Sequence, residues 1–289
     1  MILDFSNVVK SYGALRALDG ISFAVDRNEI VAVLGPNGAG KTTAIEIALG
    51  LRSATRGSVR LFGRSPRSIA VRRRVGVTPQ ESGFPDLLRV EELIAFVAEH
   101  YPHPASVAKT LADFGLTHLA AKRAGALSGG ESRRLAVALA FTGNPEFVVL
   151  DEPTVGLDVE SRRRLWDFVR SAGGDRSILF STHYLEEAEA LATRIIVIDR
   201  GRLLFDGGAR ALRERFGRRR LTYVGAPLDS AQAGLEVSLT EIDGRVVVIA
   251  DDTDAYVRAL VREGVAFRDL EVERPSLEEA FLSITGGAR

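Results

Sequence analysis

The chain opens on short apolar-rich runs, residues 2–9 and 21–25, that read as strands flanking a turn around Gly13. Glu29–Leu34 is a buried-type strand feeding directly into a glycine loop, and 40–50 reads as the helix that follows, stopped at Gly50. Strands near 58–62 and 75–78 lead to Gln80. From about 85 to 126 the apolar spacing turns helical, with Val90–Glu99 and Ala105–Phe114 as its clearest segments. A helix from Gly129 to about Phe141 follows, so residues 85–142 form a helical insert in an α/β core. The core resumes with a strand at Phe147–Leu150, a helix at 159–171, a strand at Ser177–Phe180, a helix at 184–192 and strands at 195–199 and 202–206. Strands alternating with helices imply a mostly parallel sheet. Residues 208–220 combine a helix with a basic run (Arg213, Arg215, Arg218, Arg219, Arg220), taken as a junction. Strands near 221–225, 235–240, 245–250 and 265–272 and helices at 253–263 and 276–284 then predict a small α+β domain. The expected division is 1–215 and 216–289.

Bulk properties narrow the function. With 46% hydrophobic and 26% charged residues the composition is ordinary for a soluble globular protein, and 289 residues are enough for one large domain plus a small one, or two medium ones. The formal net charge is zero, which argues against a nucleic-acid binder relying on bulk electrostatics. There is no cysteine, so disulfides, thiol catalysis and Cys-ligated zinc are excluded, and four scattered histidines make a His-rich metal site a poor reading. No apolar run reaches the roughly 18–20 residues needed to span a bilayer, and the first residues lack a signal peptide's pattern. A cytoplasmic location is expected, with any membrane role supplied by a partner.

Gly35-Pro36-Asn37-Gly38-Ala39-Gly40-Lys41-Thr42-Thr43 fits G-x-x-x-x-G-K-[ST] after a strand and at the start of a helix. Glycines let backbone N–H groups converge on phosphates, and the helix N-terminus adds about half a positive charge. Lys41 would pair with the β- and γ-phosphates of a nucleoside triphosphate and Thr42 would hold Mg2+. The apolar strand Val148–Leu150 ends in Asp151-Glu152, a carboxylate pair in need of an electrostatic partner. Asp151 is assigned to Mg2+ and Glu152 to orienting and deprotonating the attacking water.

Leu127-Ser128-Gly129-Gly130-Glu131 has two readings. Ser-x-x-Glu ahead of a helix is a capping box, with the Ser hydroxyl on the fourth residue's N–H and the Glu reaching back. A capping box does not explain two consecutive glycines, which weaken a helix start by roughly 1 kcal/mol each. They make sense where a bulky anion must approach the backbone. Both readings can hold together.

These segments, in this order, resemble the nucleotide-binding subunit of an ABC transporter. The resemblance covers residues 1 to about 215 and implies a P-loop NTPase cassette: a parallel-sheet core, an antiparallel β subdomain and a helical insert. Ser128, Gly129, Gly130 and Glu131 resemble the ABC signature, with Glu131 in place of the usual glutamine. That implies a head-to-tail homodimer with two ATP molecules sandwiched at the interface. By the same resemblance, Gln80 senses Mg2+ and relays to the membrane subunit, and His183 is a switch histidine touching the γ-phosphate. Asp158 crosses the dimer interface, and Tyr12 stacks on adenine. The stretch Arg274–Phe281 resembles the accessory tail of drug-exporter ATPases in the ABC-2 group.

The function so implied is ATP hydrolysis powering export through a separate ABC-2-type permease, at the inner face of the membrane. Phe84, Leu87 and Leu88 are candidates for the coupling surface, and equally for the core of the insert. A soluble ABC-type ATPase acting on ribosomes or nucleic acid is the rival reading. It is disfavoured by the neutral charge, the single cassette and the lack of room for a long coiled-coil insert.

Overall fold

The computed structural model describes residues 1–78, 83–172 and 175–286. The chain divides into two compact units, 1–208 and 209–289.

The first unit begins with β1 (Leu3–Tyr12) and β2 (Leu15–Val25), then β3 (Ile30–Leu34), α1 (Lys41–Ala48), β4 (Arg56–Leu61), α2 (Ile69–Arg72) and β5 (Val75–Thr78). The helical insert contributes α3 (Val90–Ala98), α4 (Val107–Asp113) and α5 (Gly129–Thr142). The core then alternates through β6 (Phe147–Asp151), α6 (Val159–Ala172), β7 (Ser177–Thr182), α7 (Leu185–Leu191), β8 (Arg194–Asp199) and β9 (Arg202–Gly207). Among the described residues the strands of this unit form two sheets. One is antiparallel, in the order β2-β1-β4, and the other runs β5-β6-β7-β3-β8-β9. The second is parallel except for β9, which pairs antiparallel with β8 at the edge.

β3, β6 and β7 are buried at every position, as parallel strands covered on both faces must be. Their apolar side chains join those of the antiparallel sheet and of α1 in one core that includes Phe5, Val33, Ile45, Val149 and Ile196. Phe5 and Phe23 stack across β1 and β2 at 4.5 Å. This packing fixes the α1 axis against the sheet and so aims its N-terminus.

Register does the rest. Leu34 of β3 lies beside Thr182 of β7, and Asp151 of β6 lies beside Ser181 of β7. The glycine loop after β3, the acidic turn after β6 and His183 after β7 therefore leave the sheet together. This is the carboxyl edge where open α/β sheets place their ligands.

The second unit comprises α8 (Ala209–Phe216), β10 (Arg219–Gly225), α9 (Ser230–Ala233), β11 (Val237–Ile242), β12 (Arg245–Ala250), α10 (Thr253–Arg262), β13 (Phe267–Glu273) and α11 (Leu277–Gly286). Its sheet is antiparallel, ordered β11-β12-β10-β13. The core joins one face of that sheet to α10 through Leu221, Val248, Tyr256 and Leu260. α8 packs on α11, which places it with this unit rather than at the end of the first.

The expected helix over 208–220 ends at Phe216, because residues 219–225 are drawn into the sheet between β12 and β13. The basic run is consequently paired. Arg218 meets Asp251 at 3.3 Å, Arg219 meets Asp254 at 3.4 Å and Arg220 meets Glu273 at 4.0 Å. α2 and α9 were not anticipated, since four residues are too few to display a period. Among the described residues no helix is long and apolar enough to cross a membrane.

Candidate functional site

The loop Gly35–Gly40 needs glycine for two different reasons. A Cβ at Gly35 would stand 2.2 Å from the carbonyl oxygen of Ile198, because the loop lies hard against β8. Gly40 adopts φ +106° at the N-cap of α1, where a Cβ would also stand 2.6 Å from the oxygen of Ala17. With glycine at the cap, no side chain occupies the first N–H groups of α1, and its first turn has no acidic residue. Those donors and the helix dipole are left facing the loop's concavity.

Lys41 is buried at 6% exposure. Its Nζ donates to the carbonyls of Gly35 and Pro36 at 2.7 and 3.1 Å. Burial pulls this ammonium below the ordinary lysine range, while the carboxylates of Glu152 and Asp151 act to hold it up. Pro36, Asn37, Gly38 and Thr42 are exposed, Thr43 is half-buried and Ala39 is packed inside.

Asp151 closes β6 at 4% exposure. Burial raises its carboxyl above the usual range. Hydrogen bonds from the hydroxyls of Ser181 and Thr42 and the charge of Arg133 oppose that rise, whereas Glu152 adds to it. Glu152 sits in the left-handed region at φ +50°, a conformation that costs a non-glycine residue about 1–3 kcal/mol. It is held there from two sides. Its N–H donates to the Ser181 carbonyl at 3.2 Å and to Ser181 Oγ at 3.0 Å. Its own carbonyl accepts from Arg133 Nη2 at 2.7 Å. The strain turns the Glu152 side chain toward His183, whose Nδ1 lies 3.3 Å from Glu152 Oε1.

Two oxygens, the Asp151 carboxylate and the neighbouring Thr42 hydroxyl, form a donor set suited to a hard divalent cation. Among the described residues no group of three His, Cys, Asp or Glu could hold a metal by itself. An ion here would take its remaining ligands from phosphate and water, which fits Mg2+ carried by a nucleotide.

Ser128 caps α5. Its Oγ accepts from the Glu131 N–H at 3.2 Å, and Glu131 Oε2 accepts from the Ser128 N–H at 2.7 Å. Glu131 is also ion-paired with Lys122 at 2.8 Å. That lysine, helped by the Ser128 N–H, holds the carboxyl below the usual range. Gly129 and Gly130 take no positive φ. A methyl at Gly129 would meet nothing within 4 Å, and at Gly130 only Leu157 Cδ2 at 3.6 Å and the Gly156 oxygen at 3.8 Å. Among the described residues nothing demands glycine at either place.

Asp158 caps α6, accepting from the N–H and hydroxyl of Ser161 at 2.8 and 2.7 Å. Tyr12, at the end of β1, is 39% exposed, with Lys10 Nζ 4.9 Å and the Arg52 guanidinium 5.6 Å from its ring centre. Gln80 lies outside the described residues. Lys41, Thr42, Asp151, Glu152 and His183 are thus brought together. By contrast, among the described residues no hydrogen bond or ion pair links Ser128–Glu131 to Gly35–Thr43.

A family model described as ABC transporter matches residues 18–155. The Nod factor export ATP-binding protein I of Burkholderia thailandensis is 39% identical, over 98% of this chain and 97% of its own length. The chain belongs to the ABC transporter ATP-binding proteins. A second family member, the daunorubicin resistance ATP-binding protein DrrA3 of Streptomyces coeruleorubidus, is 36% identical over 97% of this chain and 94% of its own. Both alignments run through the second unit. A solved ATP-binding cassette, dimeric in a post-hydrolysis state with ADP and Pi, shares the fold at a TM-score of 0.66 and 23% identity. It covers 72% of this chain and 98% of its own.

Within this ABC transporter ATP-binding protein, the sequence motifs missed two residues that shape the site. Ser181 was passed over although it stands two positions before His183. Arg133 left a clear signal: it shares a helical face with Val137, Ala140 and Phe141, all buried, and an arginine on such a face needs acceptors.

Proposed function

We propose that this chain hydrolyses ATP to power export through a separate membrane permease, working as a head-to-tail homodimer at the cytoplasmic face. Lys41 and the N–H groups opening α1 grip the phosphates. Asp151 and Thr42 would hold Mg2+, which when bound would draw negative charge off the phosphate oxygens. Glu152 takes the proton of the attacking water, and His183 is hydrogen-bonded to that base and close to the terminal phosphoryl. Tyr12 stacks on the adenine ring. Gln80 completes the Mg2+ and water environment.

The observation that carries the dimer is the pair Gly129-Gly130. Each costs the helix about 1 kcal/mol relative to alanine, neither is needed by the described residues of its own chain, and both stand at a capped N-terminus. They leave room for the γ-phosphate held by a second copy, with Ser128 as an added donor and Asp158 crossing alongside. The relatives' printed roles, Nod factor export and daunorubicin resistance, support an exporter. The dimeric neighbour supports the assembly. An ABC-2-type permease is the partner this reading requires.

The test is Glu152→Gln with ATP and Mg2+. Turnover should vanish while ATP binding persists, and light scattering should detect a trapped dimer that Ser128→Arg disperses. Turnover at a rate independent of protein concentration, by strict monomers, would sink the shared-site reading.

A further inference from the structure

One buried carboxyl takes no part in the site described above. Glu187, in the first turn of α7, is fully buried. Its Oε2 accepts from Thr154 Oγ1 at 3.1 Å, and among the described residues its Oε1 has no hydrogen-bond partner. Two donors from α6, Trp166 Nε1 and Arg162 Nε, are likewise buried without a hydrogen-bond partner among the described residues. Burial pushes the Glu187 carboxyl up, against the hydroxyls of Thr182 and Thr154, the indole of Trp166 and the charge of Arg162. The Arg162 guanidinium lies 4.6 Å from the Tyr184 ring centre, and its main-chain N–H donates to the Asp158 carbonyl at 2.9 Å.

The groups around this carboxyl come from α6 and from two separate turns. Thr154 lies between Glu152 and Asp158, on the turn leaving β6. Thr182 and Tyr184 flank His183, on the turn leaving β7. The β6–β7 ladder stops at the Asp151–Ser181 pair. Past that point the separation of Glu152 from His183 depends on what ties the two turns together. For stability alone, an apolar side chain of similar volume would serve better than a half-satisfied buried carboxyl. What the carboxyl adds is a directional bond.

We propose that Glu187 is a positioning residue for ATP hydrolysis. Its carboxyl clamps the Glu152–Asp158 turn, through Thr154, to the turn carrying His183, and so sets the Glu152–His183 distance without touching nucleotide. This rests on Glu152 being the base and His183 its neighbour at the γ-phosphate.

The experiment measures steady-state ATP turnover, ATP affinity and thermal stability of the full chain for Glu187→Leu, Glu187→Gln, Thr154→Val and the double variant Glu187→Leu/Thr154→Val. Small misplacements of reacting groups cost up to about 100-fold. Glu187→Leu should therefore lower kcat about 10- to 100-fold, with ATP affinity unchanged and the melting temperature equal or higher. Thr154→Val should fall the same way, the double variant should fall no further, and Glu187→Gln should restore most of the rate. A Glu187→Leu chain at the parental kcat overturns the proposal. So does a loss of kcat that runs parallel with losses of affinity and melting temperature. Should the leucine variant fail to fold, Thr154→Val at the parental rate overturns it by itself. Glu152→Gln is the control. If that variant keeps turning over, the assignment of the base has failed. If it is dead while Glu187→Leu and Thr154→Val run at full rate, only the clamp has failed.

Discussion

Arg133 Nη2 donates to the main-chain carbonyl of Glu152 at 2.7 Å, so the helix opened by Ser128 physically holds the turn that carries the acidic pair. The same guanidinium reaches the carbonyls of Asp151 and, at 3.2 Å from Nε, Pro153. A planar fork with several fixed donors is the side chain suited to three successive carbonyls. Any shift of α5 is thereby passed to Glu152.

Removing the fork should damage stability and chemistry together. Each buried carbonyl left unpaired costs about 1–3 kcal/mol, and each 1 kcal/mol lowers the melting temperature of a unit this size by about 2–4 °C. Arg133→Met should melt several degrees early and lose most of its ATP turnover. Scanning fluorimetry and phosphate release read the two effects. Parental turnover in Arg133→Met would disprove the link.

Gly130→Ala should move stability and activity in opposite directions. The methyl meets only ordinary contacts inside the chain, and alanine favours the helix by about 1 kcal/mol. A higher melting temperature is expected together with loss of the ATP-dependent dimer and of turnover. An alanine variant that dimerises and turns over normally would remove the γ-phosphate from this end of α5.

Glu131 yields a prediction with a defined pH window. Its carboxyl is held below its usual value by Lys122 and the Ser128 N–H. A depressed carboxyl contributes stability that is present above the unfolded pKa and is lost as pH falls through the folded one. Glu131→Gln should therefore be less stable than the parent at neutral pH, with the gap closing in acid. Substitution also leaves Lys122 as an unmatched positive charge beside the signature segment, so ATP-dependent dimerisation should tighten. Thermal melts across pH test the first part and light scattering the second. A stability gap that widens in acid contradicts the ion-pair argument.

The coupling surface can be probed at Leu87, which is 75% exposed, whereas Phe84 and Leu88 are half-buried. Leu87→Asp should leave the ATPase rate of the isolated chain intact and abolish transport in cells carrying the permease. Loss of both activities would return Leu87 to a structural role.

The elements that the chain announced most clearly were those whose local pattern and tertiary environment agree. The apolar runs at 30–34 and 147–151 are strands buried on both faces, and Ser128 with Glu131 does form the capping box. Departures came where long-range pairing outweighed local preference. Arg218–Arg220 read as a junction with a solvated charged face, and all three are exposed, but β12 and β13 draw Arg219 and Arg220 into a sheet and acids stand beside all three.

By itself, the sequence determined the phosphate loop, the carboxylate pair, the signature segment and the fold they imply, because each is a local pattern whose chemistry depends on spacing along the chain. Only the tertiary structure decided what holds these pieces in working relation. The bond from Arg133 to Glu152, the Ser181 hydroxyl under Asp151 and the carboxyl of Glu187 against Thr154 join residues 19 to 33 positions apart. Such contacts arise from strand register and helix packing. Periodicity and motif spacing carry no record of which distant side chain will arrive opposite.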